Sequence, residues 1–253
     1  MSLIKEKPGG GPAGFFEAEA AGLRWLAVDG GAACVSVLDV RTGRIEIERL
    51  TEAPASAAAA EEFGRALAVT HAAGAEAFGS GPTGGPGVAF IGRQELPLGS
   101  YSSWGAFYAD LRLLPYSRAA HRIGNLSDAG LRSVEKVCER LHAGEFDDGR
   151  PPARIHGDLW AGNLLFTPTG AVMIDPAAHG GHGETDLAML ALFGAPHLRR
   201  IQQAYAEAAS LDSGWPDRIA LHQLHPLLVH AVTHGASYGS HAAEHCELAL
   251  AGR

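Results

Sequence analysis

Two short apolar runs, Leu164 to Phe166 and Ala171 to Ile174, limit how this chain can fold more than anything else in it. Between them stands Thr167-Pro168-Thr169-Gly170, with Pro and Gly where a tight turn prefers them, so the spacing predicts an antiparallel hairpin. HGDLWAGN (156–163) runs into the first strand, and Asp175 follows the second. Asn163 and Asp175 should then face each other at the open end of the hairpin, their side-chain oxygens about 5 Å apart. Asp158 stands five residues before Asn163 in the same loop.

Two converging hard oxygen donors suit a divalent cation, because Mg²⁺ takes a few protein oxygens and completes its octahedron with water and phosphate oxygens. A carboxylate beside such a cation is placed to accept a proton from a hydroxyl that attacks a phosphoryl group. Asp and Asn are common in turns and caps, so each residue alone has an ordinary structural explanation. The three together point to phosphoryl transfer.

The totals fit a soluble globular chain: 253 residues, 46% apolar and 19% charged, enough for one large domain or two small ones. A formal charge of −8 and no basic run argue against nucleic acid as a partner. Cys34, Cys138 and Cys246 are too scattered for a disulfide framework or a thiolate zinc site. With no signal-like or membrane-spanning apolar run, the expected location is the cytoplasm, without a membrane partner.

Periodicity predicts a helix over 15–28, strands in ACVSVLDV and RIEIERL around Arg41-Thr42-Gly43, and a boundary near 51–55. Helices are expected over 61–71, 104–114, 127–142, 187–193, 198–209 and 219–250, the last interrupted at Pro226, with GSGPTGGPG (79–87) as a loop.

His156-x-Asp158-x-x-x-x-Asn163 matches the catalytic loop of protein kinases in position, and Asp175, twelve residues further on, stands where their metal-binding Asp belongs. Gly157 replaces Arg, and Pro176-Ala177 replaces Phe-Gly, so the chain does not look like a protein kinase with an activation segment. HGDLWAGNLLF, IDPAAHGGHGETDLAMLALFG and LHQLHPLLVH together resemble the fructosamine kinase (ketosamine-3-kinase) family, within the wider aminoglycoside-phosphotransferase-like group. The resemblance implies a two-lobed α+β fold like that of protein kinases, with a reduced small lobe at 1–52 and a mainly helical lobe at 53–253. It implies ATP and Mg²⁺, and transfer of a phosphoryl group to the 3-hydroxyl of a ketosamine, free or protein-bound, in deglycation repair. Oligomeric state is not implied.

Position by position, the resemblance makes Asp158 the catalytic base and Asn163 and Asp175 the metal ligands. Trp160 would line the sugar site, though buried aromatics usually serve packing. His156 and Asp186 would support the loop, Asp186 being also a plausible helix cap. His182 and Glu184 would belong to the acceptor site, or to a solvated turn. At the nucleotide end, Lys5 would contact phosphates and be held by Glu19, and Glu48 to Leu50 would form the hinge that meets adenine. Only four residues precede Lys5, so the upstream strands and phosphate-covering loop of the family are not in this sequence; either the chain is a shortened version or closure over the nucleotide is weak, and poor ATP affinity is expected. PGGGPAG (8–14) follows the Lys and reads as linker.

Three rival readings stay open. One is an aminoglycoside-phosphotransferase-like kinase of another small hydroxylated substrate. Another is a catalytically weak binding module. The third is a zinc site at His241-Ala-Ala-Glu244-His245, an H-x-x-E-H match on one helix face.

Overall fold

The structure, a computed structural model, describes residues 1–7, 9 and 11–252. The expected linker at 8–14 therefore lies partly outside the described residues. Strand β1 (Ser2–Glu6) pairs antiparallel with β4 (Arg44–Glu48), which pairs with β3 (Val37–Arg41), giving the order β1-β4-β3. Ile45 and Ile47 alternate inward and are almost fully buried. They pack against Phe16, Ala20 and Leu23 of helix α1 (Phe15–Leu26), the face that helical spacing predicts.

The stretch expected as one strand, ACVSVLDV, serves two sheets. Its first residues form β2 (Ala33–Cys34), parallel to β9 (Gly170–Met173), and the Val35 N–H donates to the Met173 carbonyl at 3.0 Å. The chain then crosses to β3, with a register irregularity between Val37 and Asp39. β9 and β8 (Leu164–Thr167) form the expected hairpin, with Leu164 opposite Met173 and Thr167 opposite Gly170. The N-terminal sheet is thus tied to the hairpin through β2.

The rest is mainly helical. Helix α2 (Ala57–Ala72), capped by the Ser56 hydroxyl, packs on a helix at Leu198–Ala208. Two-residue strands β5 (Phe90–Ile91) and β6 (Gln94–Glu95) make a small hairpin. Helix α3 (Trp104–Phe107), a π turn (Tyr108–Leu113) and α4 (Leu114–Arg122) follow one another directly, so helix extends past the expected stop at 114. Pro115 opens α4 directly behind the π turn, so the continuous helix goes without the N–H bond it would have donated back into that turn. Helix α5 (Asp128–His142) begins at the Ser127 cap. Strand β7 (Ala153–Ile155) pairs with β10 (His179–Gly181) ahead of α6 (Glu184–Phe193) and α7 (Leu198–Ala208).

The last segment divides into α8 (Ile219–His222), α9 (Leu224–Thr233) and α10 (Ala236–Ala251). The breaks fall at Gln223 and at His234-Gly235, not at Pro226, because Pro226 sits in the first turn of α9 and is tolerated there. Gly235 at φ 125° supplies the second break. Tyr108, Leu113, Val134, Val137, Leu141, Leu224 and Cys246 form the main core beneath these helices. No described helix is long and apolar enough to cross a membrane.

Candidate active site

The loop from His156 to Asn163 is held from beneath by one carboxylate. Asp186, in the first turn of α6 and fully buried, accepts the N–H of His156 at 2.8 Å and that of Gly157 at 2.9 Å. Its Oδ2 also meets His71 Nε2 at 3.0 Å, and His71 Nδ1 meets the Tyr205 hydroxyl at 2.7 Å. Burial pushes the Asp186 carboxyl up, but the hydrogen bond and charge of His71, with His156 and the Gly157 N–H, hold it below the ordinary carboxylate range.

His156, itself fully buried, donates from Nε2 to the Ile174 carbonyl at 2.9 Å and accepts the Asp158 N–H on Nδ1 at 3.2 Å. One imidazole thereby locks the loop to the end of β9, and burial keeps its pKa below the ordinary value. Gly157 explains the departure from Arg: its φ is 79°, and a Cβ there would stand 2.4 Å from the Ala177 carbonyl oxygen.

Asn163, at the start of β8, donates through Nδ2 to the Asp158 carbonyl at 2.8 Å and to its carboxylate at 3.3 Å. That commitment of the nitrogen leaves the amide oxygen as the end able to accept or ligate. Asp175 takes a left-handed φ of 53°, uncommon for a residue with a Cβ, in the turn that leaves β9. Lys5 Nζ contacts the Asp175 carboxylate and meets Glu19 Oε1 of α1 at 2.7 Å. Burial opposes the charge of Lys5, but Glu19 and Asp175 raise its pKa overall.

Two cavities meet at this loop. One, of about 560 Å³, is lined by Lys5, Glu19, Asp158, Trp160, Asn163 and Asp175, with the Gly-Pro-rich loop around 81–88 as its far wall. The other, of about 690 Å³, lies between the loop, the β5–β6 hairpin, α6 and α9. Asp158 and Trp160 line both. Burial, chiefly, pushes the Asp158 carboxyl up to about 7; the Asn163 hydrogen bond opposes this, and the charges of Asp175 and Asp186 add to it.

The sequence pattern of the fructosamine kinase family matches residues 11–251. A Thermus thermophilus protein assigned as a ketoamine kinase is 30% identical over 228 residues, 90% of this chain and 79% of its own length. The chain belongs to the fructosamine kinase family. A Synechocystis ketoamine kinase by assignment is 36% identical over 183 residues, 71% of this chain and 58% of its own. The chain spans about half the length of the first curated relatives it matches. The crystal structure of a Thermobifida fusca protein assigned as a fructosamine-3-kinase superposes with a TM-score of 0.90 at 44% identity, covering 98% of this chain and 85% of that one. A thermostable mutant of the aminoglycoside phosphotransferase APH(4)-Ia, 16% identical, superposes at 0.61 over 99% of this chain and 87% of its own. The fold is α+β and two-lobed, like that of protein kinases.

Several expected positions lie elsewhere in this fructosamine kinase family member. Glu48 and Leu50 line neither cavity; the Glu48 N–H donates to the Ser36 carbonyl at 2.9 Å and its side chain accepts from the Ser36 hydroxyl. The Glu48 N–H, at the start of the backbone expected to meet adenine, is thus committed to the sheet. His182 and Glu184, expected at the acceptor, are buried away from both cavities, because Arg218 grips Glu184 at 2.5 and 2.8 Å and His182 meets Asp148 at 3.1 Å. Neither faces the two cavities, and their burial rules out a solvated turn. His245 meets the His241 carbonyl and Gln223, and the one His/Cys/Asp/Glu cluster with ligand spacing among the described residues is His182, Glu184 and His222 instead. Sequence reading passed over His71 and Tyr205, which carry the brace; single residues in two ordinary helices give no signal.

Proposed function

We propose that this chain is an ATP-dependent kinase that phosphorylates the 3-hydroxyl of a ketosamine. The observation that carries the reading is the sharing of Asp158 by two cavities, one lined by a lysine and oxygen donors and the other large enough for a sugar adduct. Family membership supports the substrate class. In this proposal the chain divides as 1–52 and 53–253, with the nucleotide between Lys5 and the hairpin. A 3-phosphate favours spontaneous loss of the sugar from the amine, so the role is deglycation, carried out in the cytoplasm.

Asp158 takes the proton of the sugar 3-hydroxyl, whose oxygen forms a bond to the γ-phosphorus as the bond to the β–γ bridging oxygen breaks and ADP leaves. A carboxyl at about 7 is poised for that exchange near neutral pH. Lys5, steadied by Glu19, brings positive charge to the phosphates. The Asn163 amide oxygen and the Asp175 carboxylate are hard donors that fit magnesium. Magnesium held there supplies charge neutralisation on the phosphates during transfer. His156 and Asp186 keep the loop in shape, and Trp160 offers an exposed indole face to the acceptor.

The test is Mg²⁺-dependent ADP release with a ketosamine acceptor, the product's phosphate position being read by phosphorus and proton NMR. A 3-phosphate, lost in Asp158→Ala with the fold intact, is expected. Equal rates in parent and variant, or no release above the ATP-only rate, would remove the assignment.

A further inference from the structure

The second cavity differs in chemistry from what a sugar alone would need. Gln94, Asp158, His230, Thr233 and His234 offer polar groups to sugar hydroxyls, but Ile91, Met189, Phe193, Pro226, Val229 and Val232 line the cavity with apolar surface as well. Phe193 is 37% exposed, a large apolar ring left open on the cavity side of α6, with Trp160 edge-on at 6.3 Å. Apolar rings and branched side chains around an open cavity favour an apolar occupant.

Arg93 is the one arginine or lysine in that lining. Arg93 occupies the tight turn between β5 and β6, next to Gly92 at φ 56°. Its side chain is exposed, and among the described residues no carboxylate pairs with it and no hydrogen bond holds it. Most other arginines here do have such partners, among them Arg44, Arg140, Arg154 and Arg218. A planar guanidinium left free at a cavity with one apolar wall matches a carboxylate attached to an apolar group.

We propose that the amine half of the acceptor is an apolar α-amino acid, its side chain against Phe193, Val229 and Val232 and its carboxylate on Arg93. This rests on the ketosamine kinase reading above. The sugar then points its 3-hydroxyl at Asp158, and a free amino-acid adduct is preferred over a lysine side-chain adduct within a protein, which has no carboxylate in reach.

The experiment uses the full chain with Mg²⁺ and ATP and follows ADP release with sugar adducts of phenylalanine, glycine and phenethylamine, and of a lysine side chain in a peptide, each as fructosyl and ribulosyl forms. For the phenylalanine adduct kcat/KM should exceed that of the glycine adduct and that of phenethylamine, which lacks only the carboxylate, by about ten-fold each. Val232→Asp should collapse the first ratio. Arg93→Met should collapse the second by raising KM for the phenylalanine adduct, with KM for ATP following the parent. The acceptor series on the parent needs no variant to fold. Equal kcat/KM across the series, preference for the peptide adduct, or an Arg93→Met effect on KM for ATP alike with every acceptor overturns the subsite while the kinase reaction stands. No turnover of any adduct overturns both.

Discussion

Burial, ahead of any neighbour, pushes the Asp158 carboxyl to about 7, and the charges of Asp175 and Asp186 act in the same direction. In the unfolded chain this group titrates near its ordinary value of 3.8. Between those values the native state holds a proton the unfolded state has lost, so the contribution to stability is full below about pH 4 and falls as pH rises through about 7. Asp158→Asn carries no such penalty. It should melt higher than the parent at pH 8, by a margin that shrinks to nothing below about pH 4, while turnover falls by roughly 10²–10⁴-fold. A melting difference independent of pH would show that the carboxyl is not strained in this way. Asp186 behaves oppositely, since its pKa is held low: its stabilisation is present above the ordinary carboxylate range and lost as pH falls. Asp186→Ala leaves the buried His156 N–H, the half-buried Gly157 N–H and His71 without their acceptor, a loss of about 3 kcal/mol or roughly 6–12 °C in Tm by calorimetry. A drop under about 1 °C would show that Asp186 does not brace the loop.

The brace depends on how closely two helices approach. A Cβ on Gly64 of α2 would stand 2.4 Å from the Ile201 carbonyl of α7. Those helices carry His71 and Tyr205, whose contact is 2.7 Å. Gly64→Ala should push them apart, destabilise the fold by about 1–3 kcal/mol, and lower kcat more than it raises KM, because the loop and not the cavities loses support. Unchanged kcat with a lower Tm would separate packing from loop geometry. None of this was visible in the sequence, where 115 residues separate His71 from Asp186. What was visible was local. The β8–β9 hairpin announces itself through Pro168 and Gly170, and Ser127 marks the start of α5. Pro226 misled because proline breaks a helix in its interior but fits its first turn, and sequence alone does not say which turn it occupies. ACVSVLDV misled because a continuous apolar alternation carries no mark of the point where a strand leaves one sheet for another.

Over the whole molecule, the cavity proposed for the nucleotide is assembled from parts far apart in the chain: Lys5 from β1, Glu19 from α1, Asn163 and Asp175 from the open end of the hairpin, and the loop around 81–88. β2 is the strap that lets these parts share a frame, since it pairs with β9 a few residues before the chain enters β3. A ligand gripped by all of them ties distant segments together, and anything that binds only the folded chain stabilises it by mass action. ADP with Mg²⁺ at about 100 times its Kd should therefore contribute about 2.7 kcal/mol, roughly 5–11 °C in Tm. EDTA should return most of that shift if the Asn163 and Asp175 oxygens hold the cation. Asp175→Asn keeps the size of the side chain but halves its oxygen donors and removes its charge, so its shift with Mg²⁺ and ADP should be small and already insensitive to EDTA. Lys5→Met should instead lose part of the shift and keep its EDTA sensitivity, because it removes a phosphate contact and leaves the cation's donors in place. If Asp175→Asn retains a full, EDTA-sensitive shift, the metal is held somewhere other than at the open end of the hairpin.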